Sequence, residues 1–390
     1  MSPSGEEQTA QPNVFTPAKL GPVTLRNRII KSATFEAASP NSLVTDDLIE
    51  FHRLPAAGGV GMTTVAYLAV TPGGRTQGPV IWWRPEAIPG LCTLTEAIHA
   101  EGAAVSAQIA HAGPVADARS NKTEALAPMT SKHARGATRD DIADIVAAHA
   151  TAARFAIDAG FDAVEIHLGH GYFVSSFLSP LINKRDDEFG GSLQNRAKVA
   201  RSVVEAVRRA VNDTGAGKIA VTAKLNMADG VDGGITVEES LQTAKWLQED
   251  GCLDAIELTA GSSLVNPMYT FRGGAPGKDV PALAKVVREY PYYDAYLLDD
   301  ARLFRAELTM PLILLGGITN RETMDLAMAE GFEFVAMGRA LLAEPDLLNR
   351  IKADGDAHTV TSVCTHTNDC MVTIYSHTHC VLTGSPGGAS

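Results

Sequence analysis

The chain has 390 residues, 45% of them hydrophobic and 20% charged, which is an ordinary globular balance. A formal net charge of −12, with no run of basic residues, argues against a nucleic-acid or anionic-membrane partner. No apolar run approaches the ~20 residues of a spanning helix. Five cysteines, an odd count without a signal-peptide pattern ahead of them, argue against a disulfide framework and for a cytoplasmic setting.

Taken in order, residues 1–12 read as a flexible lead, 13–380 as a single domain and 381–390 as a flexible tail. VFTPAKLGPVTLRN (14–27) predicts a small hairpin plugging a barrel floor. Strand-like runs then recur: RIIKSAT (28–34), GMTTVAYLAV (61–70), AAVSAQIA (103–110), AVEIHLG (163–169), IAVTAKLN (219–226), AIELTAG (255–261), LILLGG (312–317) and FVAMGR (334–339). Amphipathic helical patterns fill the intervals, such as 140–160, with its acidic first turn and terminal Gly. Eight strand–helix alternations predict an α/β protein of the (β/α)8 TIM-barrel class. An open doubly wound sheet is the rival, and the short last unit favours closure. Long turn-rich segments follow the third strand (111–140) and the sixth (261–279), and such loops usually carry function or are disordered.

Side chains alternate along a strand, so Thr222, Lys224 and Asn226 share one face while Val221, Ala223 and Leu225 share the other. The apolar set suits the helix-packed outside, which points Lys224 into the barrel. The same parity turns Gln108 and His167 inward. Barrel interiors are normally filled by branched apolar residues, so polar groups at matching heights suggest a bound polar ligand. The competing reading is a self-satisfied cluster with a carboxylate such as Glu165. Gly316-Gly317 and Gly338-Arg339 close the last two strands, where barrels frequently bind phosphate, although a Gly pair is also a common tight turn. In HLGHGYFVSSFLSP (167–180), residues three apart face opposite sides of a strand, so His167 and His170 meet only if the chain bends at Gly169 and Gly171. No HExxH-like spacing supports a metal. Two imidazoles could hold a carbonyl oxygen, and Tyr172 could deliver a proton.

The run VEIHLGHGYFVSSFLSPLINKRDDEFGGSLQNR, with LGPVTLRNRII, AQIAHAG, LLGGI and VAMGR in matching order, resembles the old yellow enzyme family of FMN-dependent oxidoreductases. That family includes NADH:flavin oxidoreductases and the barrel half of 2,4-dienoyl-CoA reductases. The resemblance runs from about Val14 to Cys380. It implies one FMN, touched by Ser32, Ala33, Thr34 and Ala66, with Gln108 on the pyrimidine edge and Lys224 near N1 and O2. Gly316, Gly317, Gly338 and Arg339 would hold the phosphate. His167 and His170 match the pair that binds a substrate carbonyl oxygen, and Tyr172 the proton donor. The implied reaction is ping-pong: NADH or NADPH gives a hydride to flavin N5, and an α,β-unsaturated carbonyl compound then takes it at the β-carbon.

The sequence departs from the family in two places. Phe35 stands where many relatives carry a hydrogen-bonding Thr or Cys. In the tail CTHTNDCMVTIYSHTHC, Thr367 replaces the second cysteine of an iron–sulfur pattern, leaving Cys364, Cys370 and Cys380. Free buried thiols are then expected, with a zinc site including His366 or His379 the lesser reading. Oxidation of an amine or alcohol, or flavin binding without catalysis, remain alternatives, and a homo-oligomer is compatible with the sequence. DDEFGGSLQNR reads as structural, with Ser192 a candidate N-cap.

Overall fold

A turn at Gly21 folds β1 (Ala18–Leu20) back on β2 (Val23–Leu25) as an antiparallel hairpin. The computed structural model describes residues 13–214, 218–274 and 290–384. The proposed lead at 1–12, the tail beyond 384 and the far part of the sixth-strand loop lie outside the described residues. After the hairpin come β3 (Ile29–Lys31), β4 (Met62–Ala69) and β5 (Ala104–Ala110). The long third-strand loop contains a two-residue parallel pair, β6 (Leu126–Ala127) and β7 (Arg135–Gly136). The remaining strands are β8 (Ala163–Leu168), β9 (Ala220–Asn226), β10 (Ala255–Thr259), β11 (Leu312–Leu315) and β12 (Phe334–Met337).

The order β3-β4-β5-β8-β9-β10-β11-β12 closes on itself, with Ala336 of β12 paired to Ile30 of β3. That pairing eliminates the open-sheet alternative. All eight barrel strands fall inside the runs read from sequence. Their outward residues (Val164, Ile166, Val221, Ala223, Leu225, Ile256, Leu258) pack under a helical shell. In helix Lys198–Asp213, Val199, Val203, Val207 and Ala210 recur at three- and four-residue spacing and are all buried. Side-chain caps start several of these helices. Thr138 and Asp141 make a reciprocal capping box at Arg139–Asp158, and Ser192 caps Leu193–Arg196, as its position predicted.

The base of the barrel explains the plug. Ala104, Ala163, Ala220 and Ala255 line it, and these small side chains leave room for Leu20 and Leu25, which are 0% and 1% exposed. Burying a leucine is worth about 1.5–3 kcal/mol, so the hairpin is held by packing as well as by its own short ladder. No helix of the described residues is long and apolar enough to cross a membrane.

Candidate active site

Above the alanine base the inward residues turn polar. Strand register sets them side by side: Gln108 opposite Glu165, His167 opposite Lys224, and Lys224 opposite Glu257. Of these, Gln108, His167 and Lys224 line a cavity of about 650 Å³ at the C-terminal ends of the strands, and Glu165 and Glu257 bond to them from outside its lining. That volume lies within the ~300–1,000 Å³ of ordinary ligand pockets. All thirteen residues singled out from sequence line it: Ser32, Ala33, Thr34, Ala66, Gln108, His167, His170, Tyr172, Lys224, Gly316, Gly317, Gly338 and Arg339.

Both readings of Lys224 hold at once. It lines the cavity, yet its ammonium is already engaged, 2.9 Å from Glu257, 3.5 Å from Glu165 and 3.0 Å from Ser32 Oγ. Gln108 donates to Glu165 at 2.7 Å, and Ser32 donates to Glu257 at 2.8 Å. Burial opposes the lysine's charge, but the two carboxylates outweigh it and raise its pKa. Glu257 was missed from sequence. The alternation that exposed Lys224 applies equally to Ala255, Glu257 and Thr259, but a run reading AIELT was treated as a plain strand.

The bend between the two histidines falls at Gly171, as expected, and at His170 instead of Gly169. His170 itself takes φ 61° and Gly171 φ 74°, while Gly169 stays out of the left-handed region. A histidine there is uncommon and concentrates at functional sites. The bend brings the imidazoles to 4.9 Å between centroids, with Tyr172 4.7 Å from His167. His170 Nε2 lies 3.0 Å from Thr259 Oγ1. Burial, with Lys224 nearby, lowers the pKa of both imidazoles, that of His170 to about 3, so at neutral pH they are uncharged. Burial holds Tyr172 protonated. Tyr67 packs edge-on against Tyr172 at 5.3 Å and is anchored by Thr76 N–H and the Gly74 carbonyl.

The opposite end suits an anion. Gly316 and Gly317 adopt φ 99° and 75°. A Cβ on Gly317 would sit 2.7 Å from the Ala295 nitrogen, whereas one on Gly338 would meet nothing within 4 Å. The Gly338 backbone therefore opens onto free space. Asn320 and Thr323 start the helix Arg321–Ala329 with a reciprocal capping box. Arg339 is tethered by the Arg272 carbonyl at 3.0 Å and by Asn368 Oδ1.

Sequence reasoning also missed one whole wall. His366, Cys370, Met371, Val372, Ile374, Tyr375 and Thr378 line the cavity from the C-terminal segment, and Gln77 donates to the Ile374 carbonyl at 3.1 Å. His366 stacks on Tyr292 at 3.4 Å. No strand or α-helical periodicity marks this stretch, much of which is a short 3-10 helix, Asp369–Tyr375. Its cysteines are free, and burial pushes the Cys370 thiol up to about 11. Among the described residues no group of three or more His, Cys, Asp or Glu is placed to hold a metal.

A closed barrel with a polar-floored, glycine-rimmed mouth is an architecture of cofactor-dependent barrel enzymes. Residues 13–266 match the NADH:flavin oxidoreductase / NADH oxidase family, and the chain belongs to it; it is an oxidoreductase. It is 49% identical over 390 residues to a 4,4'-dithiodibutanoate disulfide reductase from Rhodococcus erythropolis, covering 95% of each chain. It is 33% identical over 284 residues to an NADPH dehydrogenase from Listeria monocytogenes, covering 70% of this chain and 80% of that one. Among solved structures, a 2-naphthoyl-CoA reductase complex superposes with a TM-score of 0.82 at 25% identity. The match covers 96% of this chain and 57% of that one, so the chain spans little more than half the reductase's length. The old yellow enzyme homologue from Zymomonas mobilis gives 0.71 at 22%, over 91% and 96%.

Proposed function

We propose that the cavity holds one FMN and that the protein uses NADH or NADPH to reduce the activated C=C bond of α,β-unsaturated carbonyl compounds. The convergence of His167, His170 and Tyr172 carries this reading, because two uncharged imidazoles, each with one N–H to donate, beside a protonated phenol suit a neutral carbonyl oxygen. The residues fit the cofactor that the family implies: a flavin-sized cavity, Gly316, Gly317, Gly338 and Arg339 at an anion-ready end, and Gln108 and Lys224 on the floor. Bound there, FMN supplies two-electron hydride chemistry between nicotinamide and substrate. The chain's own part is positional and protic. The two imidazoles hold the carbonyl oxygen by N–H donation and draw electron density toward it. Tyr172 Oη delivers a proton to the α-carbon, steadied by Tyr67.

A second reading, reductive cleavage of a disulfide, is favoured by the disulfide reductase with which the chain shares 49% identity. There Tyr172 would protonate the departing thiolate. The deciding experiment is a stopped-flow screen in which the reduced, FMN-loaded protein meets enones, dienoyl thioesters, quinones and 4,4'-dithiodibutanoate. Fast reoxidation by enones supports the first reading. Reoxidation by the disulfide alone replaces it with the second.

A further inference from the structure

Two buried carboxyls meet the one ammonium at the cavity floor, and that count does not balance. Glu165 and Glu257 are 3% and 0% exposed, and both reach the single Lys224 ammonium through Oε1. Both carboxyl groups thus lie within 3.5 Å of one nitrogen. Two buried carboxylates so near each other cannot both ionise cheaply, since each has left water and each repels the other. The hydrogen bonds agree. Gln108 and Ser32 each donate to one Oε1, while Glu257 Oε2 is buried with no donor. An anionic oxygen left so would be costly, and a proton carried by the pair removes that charge.

The other ionisable groups nearby offer no second positive charge to Glu257 Oε2. His167 and His170 are uncharged, and the Lys31 ammonium, which feels both Glu36 and Lys224, lies over the Phe51 ring, 4.8 Å from its centroid, with no ion pair to Glu257 among the described residues.

We propose that Glu165 and Glu257 hold one proton between them at neutral pH, so that with Lys224 they present a floor of zero net charge to the cavity. The lysine is then not a bare cation under its ligand. Its charge is spent on one carboxylate, and the second carboxyl stays neutral beside it. Burial and the neighbouring carboxyl both push Glu165 up, against the pull of Lys224, which agrees with this arrangement. Glu257 thereby becomes a positioning residue that fixes both the lysine and Ser32.

The test has two arms, and only the second rests on the FMN reading. The first is infrared spectroscopy of the protein, with or without FMN, labelled with ¹³C-carboxyl glutamate. At pH 7 a protonated-carboxyl band is expected that shifts with the label and vanishes in both Glu165→Gln and Glu257→Gln. Absence of the band, or its survival in either variant, overturns the proposal. The second arm compares binding of reduced and oxidised FMN. Each single Gln replacement mimics the protonated member and leaves the affinity ratio near that of the parent. The double variant strips Lys224 of its counter-charge and favours reduced FMN by about tenfold, the equivalent of one pKa unit of charge interaction. A single variant that shifts the ratio halfway to the double overturns it. Protein that refuses FMN altogether defeats the cofactor reading and leaves the infrared arm to decide the proton.

Discussion

Tyr172 is the residue on which the proposed proton delivery turns. Tyr172→Phe keeps the ring that packs on His167 and Tyr67 and removes only the hydroxyl. Reoxidation of the reduced protein by an enone should slow by roughly 10²–10⁴, the usual worth of a general acid, while reduction by NAD(P)H is unchanged. Stopped-flow absorbance of the two half-reactions checks this, and equal slowing of both would remove the role. At this scale strand parity was a productive guide. It turned Gln108, His167 and Lys224 inward because a side chain on a regular strand has only two directions. It could not place the bend at His170, since a left-handed φ on a histidine is imposed by tertiary contacts and carries no local signature.

Among elements, Glu36, which was not foreseen, joins four. Its Oε1 accepts from Ala66 N–H at 2.8 Å and pairs with His52 Nε2 at 2.9 Å, and its backbone carbonyl accepts from Thr378 N–H at 2.9 Å. One residue thus fastens the segment after β3, the strand β4, the helix Asp46–Ala57 and the C-terminal wall. Glu36→Ala leaves the Ala66 N–H and the His52 Nε2 atom unpartnered, at about 1–3 kcal/mol each. Urea denaturation of the FMN-free protein should show that loss, accompanied by weaker FMN retention. Unchanged stability would mean that the clasp is idle. Strands and most helices were legible because periodicity encodes them. The C-terminal wall was not, because a segment without that periodicity is placed by its contacts: Asn368 donates to the Phe271 and Gly274 carbonyls, and Gln77 donates to Ile374.

The whole molecule carries several buried histidines held uncharged. Burial lowers His52, lowers His111 and His170 to about 3, and lowers His149 to about 4. A histidine whose folded pKa is depressed binds fewer protons folded than unfolded. Its contribution is therefore complete above the unfolded value of about 6.5 and is lost as pH falls below it. Stability should decline by roughly 1.4 kcal/mol per pH unit for each of His111, His149 and His170 between about pH 6.5 and 4, with His52 adding in the same direction. Chemical denaturation across that window checks it, and a flat profile would contradict the uncharged state.

The alanine base of the barrel and its polar rim are separate storeys of one tube, with the leucines of the hairpin wedged beneath. Substitutions on different storeys share few neighbours, so their effects on stability should add. Lineages built on this plan can therefore exchange substrates at the rim while the foundations stay untouched. A disulfide reductase at 49% identity and an NADPH dehydrogenase at 33% are the kind of divergence such a building permits.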